Sequence, residues 1–306
     1  MKFLRGLIMF LMLLGGVGVL LYPDFLNWQE SQQHAGFIQQ YNENVALMAQ
    51  AELDYQFDRA RAFNLGITDI RVNDPWQEGP NDVRGTTAYY SMLNFNHSNQ
   101  MMARIEIPSI RVDLPIFHGS TSAVLDRGVG HMPHTSLPIG GVGNHTILTA
   151  HTGLVRSRLF TDLVDVVVGD VFVITVGNQR LAYEVFERSI VWPHQIDVLQ
   201  TDPDRDLVTL VTCTPYGVNS HRLLVFAERI IYDEEMVAMI IPVTNLFRMR
   251  HLGVLVLVLT VLIVSTYRGI HNYKRKKIRK KNAPRILDRK LEREYDALFG
   301  DNDETD

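Results

Sequence analysis

The spacing of hydrophobic and polar residues changes along the chain. Residues 6–22, GLIMFLMLLGGVGVLLY, carry no charge and follow Lys2 and Arg5. The free stretch from Gly6 to Pro23 has about the ~17–25 residues a helix needs to cross a bilayer. Over residues 28–63 the pattern is helical: Phe37, Tyr41, Val45 and Met48 recur at spacings of four and three, and Gln, Asn and Glu fill the rest. Residues 71–86, RVNDPWQEGPNDVRGT, hold two prolines and two glycines and read as an irregular loop. From residue 101 the texture becomes short runs of Val, Ile, Leu, Thr and Phe bounded by Gly, Pro, Asn and Asp. The strands predicted are Met102–Ile107, Val112–Phe117, His145–His151, Val171–Val176, Arg180–Val191, Leu207–Cys213 and Leu223–Ile230. Gly177-Asn178 predicts a hairpin. Strands without regular helices between them point to a barrel or a sandwich.

A second uncharged run, residues 252–267, is followed by KRKKIRKK at 274–281, seven basic residues in eight. Lys and Arg collect on the cytoplasmic side of a span. Both ends of the chain are therefore expected inside and residues of about 24 to 250 outside, Arg248 and Arg250 being outnumbered. A cleavable signal peptide competes for the first run, but Tyr22-Pro23-Asp24 follows it rather than a small-residue cleavage site. An uncleaved anchor is the preferred reading, giving a multi-pass cell-membrane protein with two transmembrane helices. Beside a hydrophobic span, contact with anionic lipid accounts for the basic run more simply than a solvated tail or a nucleic-acid patch. The net charge of -4 does not suggest general nucleic-acid binding, and the end of the chain is acidic.

Cys213 is the sole cysteine, which excludes an intrachain disulfide. A lone cysteine is most often a small buried hydrophobe. This one ends an apolar strand and is followed by Thr214-Pro215-Tyr216-Gly217, which puts the sulfur at a strand tip. His151 also ends a strand, and Arg222 opens the strand after the loop that follows Cys213. Only a few per cent of a free cysteine is thiolate at neutral pH, and a nearby imidazolium raises that share. The same imidazole can protonate a leaving amine. A guanidinium, charged at any working pH, can steady a developing oxyanion. Each residue has an ordinary structural alternative when taken alone. His131, His134 and His145 fit no familiar metal-site spacing, so neither a metal nor another cofactor is expected. Gly140-Gly141-x-Gly143 reads as a turn and not a phosphate cradle.

Three segments in this order resemble the sortase family of Gram-positive bacteria: residues 114–141 (LPIFHGSTSAVLDRGVGHMPHTSLPIGG), 144–153 (NHTILTAHTG) and 209–225 (TLVTCTPYGVNSHRLLV). The similarity runs from about residue 101 to 230. It implies an all-β fold, a closed eight-stranded barrel at 101–240. It also implies a cysteine transpeptidase, with His151, Cys213 and Arg222 as its catalytic residues and hydrolysis as a side activity. The substrate class implied is a Leu-Pro-x-Thr-Gly-like sorting signal on a surface protein or pilin.

Asp74-Pro75-Trp76 resembles the lid motif of class C, pilin-polymerising sortases, which also carry a second C-terminal span. Asp74 would pair with Arg222, and Trp76 would cover the thiol. A turn with an aromatic packed on the barrel is the alternative. Thr152 and Asn144 depart from the residues commoner in that class. The expected organisation is a stub and anchor helix at 1–23, an extracellular helical region at 24–100 with the lid loop, the barrel, a second span at 251–270 and a cytoplasmic tail at 271–306. The expected partners are sorting-signal proteins, a pilin lysine as acceptor, and membrane lipid. A housekeeping sortase acting on peptidoglycan, a plain cysteine peptidase and a non-enzymatic scaffold for pilus assembly are the rival readings.

Overall fold

The computed structural model describes residues 2–67, 74, 76, 87–95, 100–154 and 156–233, and, in a separate C-terminal unit, 260–261, 264, 267–269, 271–278 and 289–298. Eight strands close into a barrel in the order β1-β2-β3-β4-β7-β8-β6-β5. They are β1 (Met101–Ile107), β2 (Val112–His118), β3 (Val129–His131), β4 (His145–Thr149), β5 (Val171–Val176), β6 (Gln179–Val191), β7 (Leu207–Thr214) and β8 (His221–Ile230). The hairpin expected at Gly177-Asn178 joins β5 to β6, with Val176 paired to Gln179. Two pairs are parallel, β2 with β3 and β4 with β7.

The seven strands read from the sequence all form, most of them a residue or two different in length. The exception in number is β3, three residues with a glycine at its centre. That glycine permits the packing: a Cβ at Gly130 would lie 2.5 Å from the Gly119 carbonyl oxygen and 2.8 Å from Leu125. A strand this short, held by close backbone approach, has no apolar alternation to display.

The region expected to be helical over 28–63 is covered by two helices, the first of which begins well before it. Helix α1 runs from Lys2 to Leu47, passing through Pro23, and α2 covers Gln50–Leu65. The face carrying Phe37, Tyr41, Val45 and Met48 does pack on the barrel core. The Tyr41 hydroxyl donates to the Met102 carbonyl at 3.1 Å and accepts from the Gly177 amide at 2.7 Å, tying α1 to β1 and to the β5–β6 turn. At the end of α2, the Asn64 side chain pairs with both backbone groups of Leu137. Two short helices follow, α3 (Thr87–Ser91) and α4 (Ser122–Leu125). Tyr89 of α3 is buried and bonded to His131 and to the Gly119 amide.

Residues 6–22 are helical within α1. Among the described residues, no helix is long and apolar enough to cross a membrane; several side chains of the first run and most of residues 251–270 lie outside them. In the C-terminal unit, residues 271–278 and 289–298 are helical and exposed. Most of the loop expected at 71–86 lies outside the described residues, apart from Asp74 and Trp76.

The Tyr41 hydroxyl serves two buried backbone groups at once. Tyr41→Phe is expected to destabilise the protein by about 1–3 kcal/mol, because a buried amide and a buried carbonyl lose their partner. Urea unfolding of the detergent-solubilised chain reads this, and an unchanged midpoint would show that the helix is not held there.

Candidate active site

Side chains alternate between the two faces of a strand, and this parity builds the site. In β7, Val208 and Leu210 join the main core while Val211 joins a second cluster. In β4, Leu148 belongs to the first and Ile147 to the second; in β8, Leu223 and Val225 belong to the first and Leu224 to the second. Cys213 shares parity with Val211, and Arg222 with Leu224. His151, just past the end of β4, shares parity with Ile147. The three residues thus lie on the face of the second cluster, and Trp76 packs against that cluster.

Register completes the convergence. Cys213 is paired directly with Arg222 across β7 and β8. The parallel pairing of β4 with β7 sets Thr149 beside Val211, and two further residues along each strand lead to His151 and Cys213. The strands stay linked past the last paired residues: the Ala150 amide donates to the Val211 carbonyl at 3.2 Å, and the Thr212 hydroxyl donates to the Ala150 carbonyl at 2.8 Å. The loop after Cys213 closes over the loop after His151, with the Tyr216 ring against Gly153.

The sequence places the sulfur at an open strand tip, whereas Cys213 sits one residue inside β7 and is only 6% exposed. Asp74 and Trp76 lie on the other two residues of the constellation. The Asp74 carboxylate accepts from Arg222 Nε at 2.8 Å and from Nη2 at 2.7 Å, a two-point pair buried on both sides. The Arg222 guanidinium carbon lies 4.8 Å from the centre of the Trp76 ring. The Trp76 indole N–H donates to His151 Nδ1 at 3.0 Å.

Such a bond requires an unprotonated Nδ1, so the imidazole is neutral and carries its proton on Nε2. Burial lowers the pKa of His151, with Asp126 opposing it. Burial pushes the Cys213 thiol up to about 11; Arg222 pulls it down and Asp74 raises it further. In this covered arrangement the sulfur and the imidazole are therefore both uncharged.

Two of the three other histidines singled out have structural partners. His131 is bonded to Tyr89 and to the Ser136 carbonyl, and His145 to the Gln200 carbonyl and to Thr209. His134 is an exposed turn residue with φ of 65°. Among the described residues no cluster of His, Cys, Asp or Glu is arranged to hold a metal. One contact was not read from the sequence. Arg222 Nη1 donates to the carbonyls of Asn219 and His221, each at 3.0 Å. Carbonyl contacts carry no side-chain signature, and the only hint is an asparagine, a residue tolerant of left-handed backbone, three positions before the arginine.

The sortase domain profile matches residues 105–230. Sortase A of Streptococcus agalactiae serotype III is 30% identical over 146 residues, which are 47% of this chain and 58% of that protein's length. Sortase C-1 of Actinomyces oris is 43% identical in a superposition covering 60% of this chain and 99% of that one, with a TM-score of 0.56. The chain belongs to the sortase family. Sortases are cysteine transpeptidases, and the barrel described above is the sortase fold. The sortase C1 of GBS pilus island 1 is also similar, at 37% identity, with a TM-score of 0.59 and coverage of 66% of this chain and 94% of that one.

Two expectations concern the covered thiol. With a pKa of about 11, only roughly three in ten thousand molecules carry the thiolate at pH 7.5. Asp74→Asn removes a charge that raises this pKa and loosens the cover, so the pKa moves down toward ~8.5. Alkylation by iodoacetamide at pH 7.5 should then quicken by up to on the order of 10²-fold, with the midpoint of the pH–rate curve shifted to lower pH. Trp76→Ala should also quicken labelling, by exposing the sulfur. Rates that match the unsubstituted protein in both variants would mean that this segment does not shield the cysteine.

Proposed function

We propose that this sortase cleaves a Leu-Pro-x-Thr-Gly-like sorting signal and joins the released threonine acyl group to a lysine amine of another pilin subunit. The observation that carries the reading is the shared face of Cys213, His151 and Arg222 beneath the Asp74–Trp76 segment. Likeness to class C sortases, one of them from a pilus island, supports a pilin as substrate.

Asp74 and Trp76 act as a lid, and the reaction begins when it leaves. Arg222 then faces the sulfur without its carboxylate partner and favours the thiolate, while His151, released from the indole N–H, takes the thiol proton at Nδ1. The thiolate attacks the Thr carbonyl carbon, and the Nε and Nη2 donors of Arg222 bond the resulting oxyanion. His151 returns a proton to the departing Gly amine as the C–N bond breaks and the thioester remains. The lysine amine attacks the thioester, His151 takes the proton the amine gives up, an isopeptide bond forms, and the sulfur leaves as thiolate. The chain's own residues supply all of this chemistry.

The uncharged runs at 6–22 and 252–267 anchor the chain in the cell membrane as two spans. The barrel lies outside and both termini inside, with the basic tail on the anionic inner leaflet.

Cys213→Ala should abolish both pilus polymer and the thioester, which mass spectrometry detects on Cys213 after incubation with a sorting-signal peptide. Continued polymer formation by that variant sinks the proposal. Offering a pilin lysine peptide and a peptidoglycan amine as competing acceptors distinguishes pilin joining from wall attachment.

A further inference from the structure

The guanidinium of Arg222 is held by two separate edges. The Nε and Nη2 edge faces Asp74. The Nη1 corner is bonded to the main-chain carbonyls of Asn219 and His221, within the loop that joins β7 to β8. This loop is internally braced, because the Pro215 carbonyl accepts from the amides of both Val218 and Asn219, at 3.1 and 2.9 Å. Asn219 has φ of 58°, the left-handed region that asparagine and glycine tolerate and β-branched residues avoid. Its side chain is exposed, so a substitution there changes backbone preference with little loss of packing.

We infer that Asn219 is a positioning residue: its left-handed backbone aims a carbonyl at Arg222 and holds the guanidinium toward Cys213 when Asp74 departs. An arginine side chain released from its carboxylate partner would otherwise sample many rotamers. The carbonyl pair grips one corner and leaves the Nε/Nη2 edge preset as a two-donor receptor for the reacting carbonyl oxygen. Asp74 occupies the same edge, so opening exchanges one oxygen-bearing group for another without moving the arginine. This rests on the proposed role of Arg222 and adds what keeps that residue in place.

The test compares Asn219→Gly, Asn219→Ala and Asn219→Val in the full-length detergent-solubilised chain, with Arg222→Ala as reference. Single-turnover acylation by a sorting-signal peptide gives the rate, and the pH dependence of iodoacetamide labelling in a Trp76→Ala background gives the thiol pKa. Asn219→Val should acylate ~10–100-fold more slowly, below the loss expected for removing a whole oxyanion donor. Its KM should stay close to that of the unsubstituted chain, and its thiol pKa should rise because the cation is less firmly placed. Asn219→Gly, which keeps the backbone freedom, should acylate at nearly the original rate, and Asn219→Ala should fall between. Thermal unfolding identifies any variant that fails to fold, and the series then rests on the remaining two. Equal rates across the series, with Arg222→Ala inactive, overturn the inference and leave the role of Arg222 standing. Equal loss in the glycine and valine variants overturns it as well, since the side chain would then matter and not the backbone. A fully active Arg222→Ala removes the reading on which it rests.

Discussion

The period of two along a β-strand is the constraint from which the site follows. Three strands, β4, β7 and β8, lie side by side, and each turns one set of side chains into the barrel and the other set away from it. A residue of the right parity on or just past each strand is enough to make three distant sequence positions neighbours. A one-residue slip of β7 against β4 or β8 would turn the sulfur into the core and break the constellation. The buried Ile147, Val211 and Leu224 on one side, with Leu148, Leu210 and Val225 on the other, make such a slip costly. Packing that stabilises the barrel is thus the same packing that aligns the chemistry.

The segment carrying Asp74 and Trp76 adds electrostatics to that geometry. It places a carboxylate on the guanidinium and an indole N–H on the imidazole. Each contact opposes a charge: the first offsets the guanidinium's cation, and the second demands a neutral ring. A buried ion pair is costly to break from one side only, so Asp74 and Arg222 hold each other in place.

Much of this was readable from residue order, and the reasons differ by element. Strands β5 and β7 announce themselves because they are apolar almost throughout; Val171–Val176 has the same limits by either route. The pair Asp74 and Arg222 meets as the motif resemblance implies. β3 is invisible because its three residues are fixed by close backbone contact at Gly130 rather than by pattern. Helix α1 runs through Pro23 to Leu47, where a break between an anchor and a later helix was the natural reading, since proline costs a hydrogen bond without always ending a helix. The burial of Cys213 leaves no trace in the residues beside it. The grip of Asn219 on Arg222 is made by a carbonyl, which every residue possesses.

The parallel pairing of β4 with β7 has one more consequence. Neighbouring parallel strands cannot be joined by a tight turn, and Ala150 and Thr212 stand 62 positions apart. Between them the chain must travel out through β5 and β6, on the far side of the barrel, and return. No hairpin or other fragment formed early from adjacent sequence can bring imidazole and sulfur together. A nascent or partly unravelled chain therefore bears an ordinary, isolated thiol, and sulfur and imidazole become neighbours only with closure of the whole cylinder.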